Sequence, residues 1–217
     1  MTGESVRGME WEAWSAGNSP DHTVLLPFTR GLAGPMDYTA GMADVLFKNR
    51  GDYTRWNGQE QPEMKCRVHS TVVHQMALMG VLYSPMQMAA DRFENYQKSP
   101  KWQQFFRLFS AEVVQTKVLV ADVGKTVVVA RKFTNGVWMV SAVNGTQARE
   151  VEWNWDFVGW DSVKAFVFTD LGDWQNQPDQ FQLTGEKINS PTEHVKLPAG
   201  GGKVWFLIPE GPKIPWD

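Results

Sequence analysis

Only one cysteine, Cys66, occurs in 217 residues, so no internal disulfide can form. Its place in an apolar helical pattern makes it a small core residue rather than a redox centre. Net charge is equally scarce. Lys and Arg total 21 against 24 Asp and Glu, a balance of -3, which gives no broad field for nucleic acid or an anionic lipid surface. Neither nucleic acid nor membrane is expected as a partner. No run approaches the roughly 18 consecutive apolar residues of a membrane helix, and Met1 to Gly17 has neither the basic start nor the apolar stretch of a secretory leader. Internal repeats and low-complexity segments are missing as well. Aromatic residues are abundant, with 11 Trp and 12 Phe, a load that suits a carbohydrate enzyme and equally a well-filled β-sandwich.

The chain changes character near residue 110. Long helical patterns and Pro/Gly-rich loops precede it, and short β-branched runs at close spacing follow, so two domains are expected, 1–110 and 111–217. In the first, Val68, Val72, Val73, Met76 and Met79 recur at helical spacing and predict an amphipathic helix from Met64 to Leu82. Tyr83-Ser84-Pro85 stops it. Met86 to Asp91 then reads as a short apolar strand with an acidic C-terminal end, and helix, strand and acidic strand end together make a barrel unit. Further helical stretches run from Arg92 to Gln97 and from Lys101 to Phe109, separated by Ser99-Pro100.

In the second domain, strands are predicted over Thr126 to Lys132, Val137 to Val143, Arg149 to Trp155, Val163 to Phe168 and Val204 to Ile208. Asn135-Gly136 and Asn144-Gly145 fall between consecutive strands. Asn-Gly favours the positive φ angles of a type I′ hairpin turn, so a meander is expected, built into an antiparallel β-sandwich.

Near the start, Glu4 and Glu10 bracket Ser5-Val6-Arg7-Gly8-Met9. Gly3 and Gly8 loosen the backbone, so both carboxylates can converge on one point, which suits a hard oxygen-binding cation or acid/base work on a glycoside. Two solvated surface glutamates flanking an arginine is the bland alternative. The sequence around the pair is more specific: Glu10-Trp11-Glu12-Ala13-Trp14-Ser15, Gly17-Asn18-Ser19-Pro20-Asp21-His22-Thr23, Leu26-Pro27-Phe28-Thr29-Arg30 and Gly34-Pro35-Met36-Asp37-Tyr38-Thr39 follow in order. This succession resembles the C-terminal end of the catalytic barrel in glycoside hydrolase family 97, the α-glucosidases and α-galactosidases of bacterial polysaccharide use. The similarity continues through Leu82 to Asp91 and Glu94-Asn95-Tyr96. It extends to Val128-Val129-Ala130-Arg131, Trp138 and Pro198-Ala199-Gly200-Gly201-Gly202, and so covers nearly the whole chain.

The resemblance implies a fold class of α/β plus β: the C-terminal end of a (β/α)8 TIM barrel followed by an antiparallel β-sandwich. It implies Glu4 as a ligand of a calcium ion and Glu10 as the general acid, also touching calcium. Neighbouring carboxylates would raise the pKa of such an acid while the cation lowers it. The expected activity is that of a calcium-dependent, exo-acting α-glucosidase on an oligosaccharide substrate, located in the periplasm. Further ligands and the base or nucleophile belong to earlier barrel strands, so the chain is expected to be the C-terminal portion of a larger enzyme, inactive without the N-terminal barrel portion. The rival reading is a non-catalytic carbohydrate-binding or interaction module on the β-domain, which predicts exposed coplanar aromatics.

Other residues carry paired readings. His69 and His74, five apart on the predicted helix, stand about 140 degrees apart around its axis and cannot share one metal from the same face. His22 follows Ser19-Pro20, a helix N-cap and first-turn pair, which favours packing over catalysis. Asp37 is a substrate contact or a turn cap, Arg30 anchors a site carboxylate or a structural salt bridge, and Asp91 is a candidate because it ends a barrel strand. Gly124-Lys125-Thr126 lacks the upstream glycine of a phosphate loop, that position being Leu119. Trp153, Trp155 and Trp160 form a sugar platform or, as strand alternation favours, a sandwich core.

Overall fold

A computed structural model describes residues 17–47, 55–56, 59–60, 67–159 and 163–209. Strands β1 (Arg55–Trp56) and β2 (Gln59–Glu60) pair with each other. They are followed by β3 (Val113–Asp122), β4 (Thr126–Phe133), β5 (Trp138–Asn144), β6 (Arg149–Asn154), β7 (Val163–Asp170), β8 (Phe181–Ile188), β9 (Thr192–Leu197) and β10 (Gly202–Ile208). Six of these form one antiparallel sheet in the order β3-β4-β5-β10-β7-β8, while β6 and β9 pair as a separate ribbon.

The central strands β4, β5 and β10 are apolar almost throughout because both of their faces are covered. Successive side chains point to opposite faces. Val127, Val129, Met139, Val204 and Phe206 enter one core, and Val128, Ala130, Val140, Trp205 and Leu207 enter the other. The second core is closed by the β6-β9 ribbon through Trp153, Val195 and Leu197. The first is closed by the N-terminal helices and loops, so one core cluster holds residues from both sides of residue 110.

That covering layer contains α1 (Pro20–Leu25), α2 (Val72–Val81), α3 (Phe93–Gln97) and α4 (Pro100–Leu108). Helix α4 is amphipathic, burying Trp102, Phe105 and Leu108, and Phe105 meets Phe168 and Phe206 edge-on at 5.8 and 5.5 Å. Ser99 caps it and Pro100 opens it, as the Ser-Pro break predicts. Helix α2 departs from expectation in two ways. It starts at Val72, where the Thr71 side chain accepts from His74 N, and it is buried on every side rather than on one face. It lies directly on β5 and β10.

The barrel end expected in the first domain is not seen: among the described residues no parallel ladder occurs. Met86 to Asp91 is not a strand. The Ser84 hydroxyl donates to Met86 O and accepts from Met86 N, a local turn that competes with a sheet ladder. The segment runs beside residues 36–44, joined through Met36 N to Tyr83 O at 3.2 Å and Ala90 N to Ala40 O at 3.3 Å.

The predicted strands of the second domain are present, and β3, β8 and β9 are additional. The meander holds only in part. β4 and β5 form a hairpin at Asn135-Gly136, but only Gly136 has positive φ, 87°, with its N–H donating to Phe133 O. This is a type I turn followed by a left-handed glycine, not a type I′ turn. Asn144-Gly145 is no hairpin at all. There β5 pairs with β10 and the chain crosses to the ribbon, with the Asn144 amide donating to Gln147 O and Pro198 O and accepting from Thr126.

Candidate functional site

The two residues on which the catalytic expectation rests, Glu4 and Glu10, lie outside the described residues, as do Cys66 and Trp160. The described residues show the loop cluster built by the blocks that follow them.

Residues 36–47 and 83–96 are held together by polar side chains. The Asp91 carboxylate accepts from Ala43 N at 2.9 Å, Asp44 N at 2.7 Å, Arg92 N at 2.7 Å and Asn95 Nδ2 at 2.7 Å. Four donors saturate it, so Asp91 organises the loop and has no oxygen left over for proton transfer in this arrangement. Tyr96 accepts from Asp91 N and donates to Gly41 O, both at 2.9 Å, and burial raises its phenol well above the usual range. Gln75, from α2, accepts from Gly41 N and Met42 N and donates to Ser70. Asp37 accepts from the Thr39 hydroxyl at 3.2 Å, which is the turn-capping role, and Thr39 itself has φ 56°. Arg30 donates to Gly34 O and Pro35 O, closing its own loop.

The histidines separate. His22 sits in α1 behind the Ser19 cap and Pro20, as expected, and burial lowers its pKa. His69 precedes α2, so the helical angle argued for His69 and His74 does not apply; the two are held apart by different neighbours. His69 lies against Trp174 at 5.7 Å, with Arg67 5.4 Å from the same indole, and burial and that guanidinium lower its pKa.

His74 is fully buried. Its Nδ1 is 3.1 Å from Gly201 O and its Nε2 2.9 Å from Thr23 Oγ1. A carbonyl can only accept, so Nδ1 carries the proton, and Nε2 shares the single hydrogen of the Thr23 hydroxyl with Pro20 O, which lies 2.9 Å from the same oxygen. Burial pulls the imidazole down to about 4. Beside it, Asp170 at the end of β7 accepts from Thr71 Oγ1 at 2.6 Å, Gly202 N at 2.8 Å and Val73 N at 3.3 Å. Burial pushes this carboxyl up to about 7, against the three hydrogen bonds, each of which lowers it. The pairing of Asp170 with the start of α2 was not foreseen, since nothing local marks a partner 99 residues away.

Arg131 is the other residue missed. Its guanidinium donates to Gly80 O and Val81 O, the last carbonyls of α2, and to Thr116, and it lies 4.9 Å from the Tyr83 ring. A cation at a helix C-terminus complements the dipole there, while burial lowers its pKa to about 10. It lines a cleft of about 290 Å³ with Pro27, Met36, Tyr83 and Val118.

Trp153 and Trp155 are core residues. They meet each other at 78° and 5.5 Å and reach Trp205 from the ribbon side, which is not the coplanar exposed platform of a sugar-binding surface. Gly124-Lys125-Thr126 belongs to the β3-β4 hairpin, where Lys125 pairs with Asp122 at 3.1 Å. Among the described residues no group of three or more His, Cys, Asp or Glu could hold a metal ion.

A six-stranded antiparallel sheet with an aromatic ribbon on one face and a loop-and-helix layer on the other defines a sandwich-like β-domain. Residues 112–208 match the family described as glycosyl-hydrolase 97 C-terminal, oligomerisation. The chain is 30% identical over 170 residues to a retaining alpha-galactosidase of Bacteroides thetaiotaomicron, covering 77% of this chain and 24% of that protein. A glycoside hydrolase family 97 enzyme from Pseudoalteromonas sp. strain K8, solved with panose and also with acarbose, superimposes with a TM-score of 0.80 at 32% identity. That match covers 93% of this chain and 30% of the solved one. A β-arabinopyranosidase shares the fold with a TM-score of 0.67 at 19% identity, over 92% of this chain and 28% of its own. The chain belongs to glycoside hydrolase family 97. It spans under a third of the length of the relatives it matches.

Proposed function

We propose that this chain supplies the general acid and one calcium ligand of an exo-acting α-glycosidase, with Glu10 the proton donor and Glu4 the ligand. The observation that carries the reading is the family match over nearly the whole chain, together with Glu4 and Glu10 at the spacing that the resemblance requires. Two carboxylates are the hard oxygen donors that calcium takes, and a site of six to eight oxygens needs more than these two. The remaining ligands, and the base or nucleophile, belong to the barrel portion that this chain works with. When bound, calcium would order the sugar and the acid. Glu10 holds its proton and delivers it to the glycosidic oxygen as the bond to the anomeric carbon breaks.

An α-glucosidic substrate is preferred in this reading because the Pseudoalteromonas enzyme is seen with panose and acarbose. The Bacteroides relative favours a second reading, an α-galactoside. Comparing rates on p-nitrophenyl α-glucoside and α-galactoside separates the two. The β-domain holds the loop cluster of Asp91 and Tyr96 in place, and the enzyme works on oligosaccharides in the periplasm, which cell fractionation checks.

In the enzyme that carries this sequence, Glu10→Gln is expected to cut turnover of α-linked disaccharides by about 10² to 10⁴-fold. Activated aryl glycosides, whose leaving groups need no proton, should lose far less. Equal losses on both substrate types would sink the acid role.

A further inference from the structure

Among the described residues three other than glycine have positive φ, and two of them, Thr39 at 56° and Phe47 at 50°, bracket one loop. Gly41 between them is at 99°, where an added Cβ would lie 3.1 Å from Met79 Sδ of α2. A β-branched threonine in the left-handed region is strained, and such strain persists only where the surroundings over-determine the backbone. Here they do. The four successive amides of residues 41–44 are taken by two side-chain oxygens. Gln75 Oε1 accepts from Gly41 N at 3.3 Å and Met42 N at 3.4 Å, and Asp91 Oδ2 accepts from Ala43 N at 2.9 Å and Asp44 N at 2.7 Å. Tyr96 closes the clamp on Gly41 O.

The two acceptors come from different parts of the fold. Asp91 belongs to the neighbouring segment of the loop cluster, whereas Gln75 is on α2, buried, with its Nε2 donating to Ser70 Oγ at 2.8 Å. One residue earlier, His74 is bonded to Gly201 O at the entry to β10. Adjacent side chains of α2 therefore grip the sheet on one side and the loop on the other. Direction matters as well: the bonds from Met36 N to Tyr83 O and from Ala90 N to Ala40 O advance together along both segments. Residues 36–40 and 83–90 thus run side by side in the same sense, and their C-terminal ends, 41–44 and 91, meet.

We propose that Gln75 is a positioning residue for the glycosidase reaction: it transmits the placement of the β-sheet to the strained loop 39–47, which holds the bound sugar in its reactive orientation. The proposal rests on the glycosidase reading above, in which the two segments belong to the barrel and their C-terminal ends face the substrate. A glutamine suits this task. Its carbonyl oxygen has two lone pairs for two amides, and its own nitrogen is left to anchor on Ser70. Without that oxygen two buried amides lose their acceptor and the loop relaxes away from its strained φ angles.

The test uses the enzyme that carries this sequence. Gln75→Met keeps an unbranched side chain and removes the acceptor. It should lower kcat by about tenfold to a hundredfold and change KM by less than about threefold, because misplacement by about 1 Å costs reactive geometry more than binding. The loss should be equal on α-linked disaccharides and activated aryl glycosides, unlike that expected of Glu10→Gln. Equal losses from Glu10→Gln would sink the acid role alone, and an unaltered kcat in Gln75→Met would sink this role alone. Hydrogen exchange in peptides covering 41–44 should rise while β5 and β10 amides keep their protection. Ser70→Ala, which frees the Gln75 amide without touching the loop, should show the same pattern at smaller amplitude, and it decides the matter where Gln75→Met does not fold. Gln103→Met, at an exposed position of α4, should alter neither readout. A loss confined to KM, or equal release of the β5 and β10 amides, would also overturn the proposal.

Discussion

His74 and Asp170 lie on either side of the same tight junction, one bonded to Gly201 O and the other to Gly202 N, and they answer pH in opposite senses. Burial lowers His74 from 6.5 to about 4. The unfolded chain therefore binds its proton first, so this contribution to stability is complete above pH 6.5 and is lost as pH falls through about 4, by about 3 kcal/mol. Asp170 is raised from 3.8 to about 7, so its contribution is complete below about pH 4 and is lost as pH rises through about 7. In wild type the two slopes largely cancel between pH 4 and 7. Asp170→Asn should leave a protein that loses stability on acidification, and His74→Gln one that loses stability on neutralisation. Urea midpoints across that range check this, and parallel profiles for the two variants would refute it.

Helix α2 reaches the sheet so closely because glycines stand where it crosses. A Cβ on Gly202 would lie 2.8 Å from His74 Cα and 2.9 Å from Ala142 O, both backbone, and one on Gly80 would strike Ser141. Backbone cannot rotate away as a side chain tip can, so Gly202→Ala should cost about 2 kcal/mol or more. Gly185, with no atom within 4 Å of its would-be Cβ, provides the contrast: Gly185→Ala in β8 should be neutral or stabilise by about 0.5 kcal/mol. Thermal melts of the pair decide it, and equal shifts would mean that the helix-sheet contact is looser than described. The same closeness explains why α2 is short. Thr71 caps it where Asp170 and Gly200 hold the backbone, a stop that the apolar periodicity from Met64 onward does not register.

The molecule is layered around β10, whose alternate residues serve different cores. Trp205 packs with Trp153 and Trp155 under the ribbon, and Phe206 packs with Phe105 and Phe168 under the helices. Each truncation to alanine should destabilise by about 3–5 kcal/mol. The local signatures should differ, with Phe206→Ala releasing α2 and α4 amides to hydrogen exchange and Trp205→Ala releasing β6 and β9. Identical exchange maps for the two variants would argue against separate layers.

Much of this was readable in the chain. The Ser19-Pro20 cap marked the start of α1, and the Ser99-Pro100 break separated α3 from α4, since Ser-Pro acts through bonds two or three residues away. The continuous apolar runs marked β4, β5 and β10, and alternation assigned Trp153 and Trp155 to the interior. β3 and β8 were hidden by register shifts and by charge on exposed edges. β9 was not predicted either, although Val195 and Leu197 alternate with exposed positions there. Three things were beyond local reading: the insertion of β10 between β5 and β7, the crossing at Asn144, and the saturation of Asp91. Periodicity, caps and family motifs depend on neighbours a few residues apart. Strand order and the occupation of a carboxylate depend on partners tens to about a hundred residues distant, which come within reach only when the layers pack.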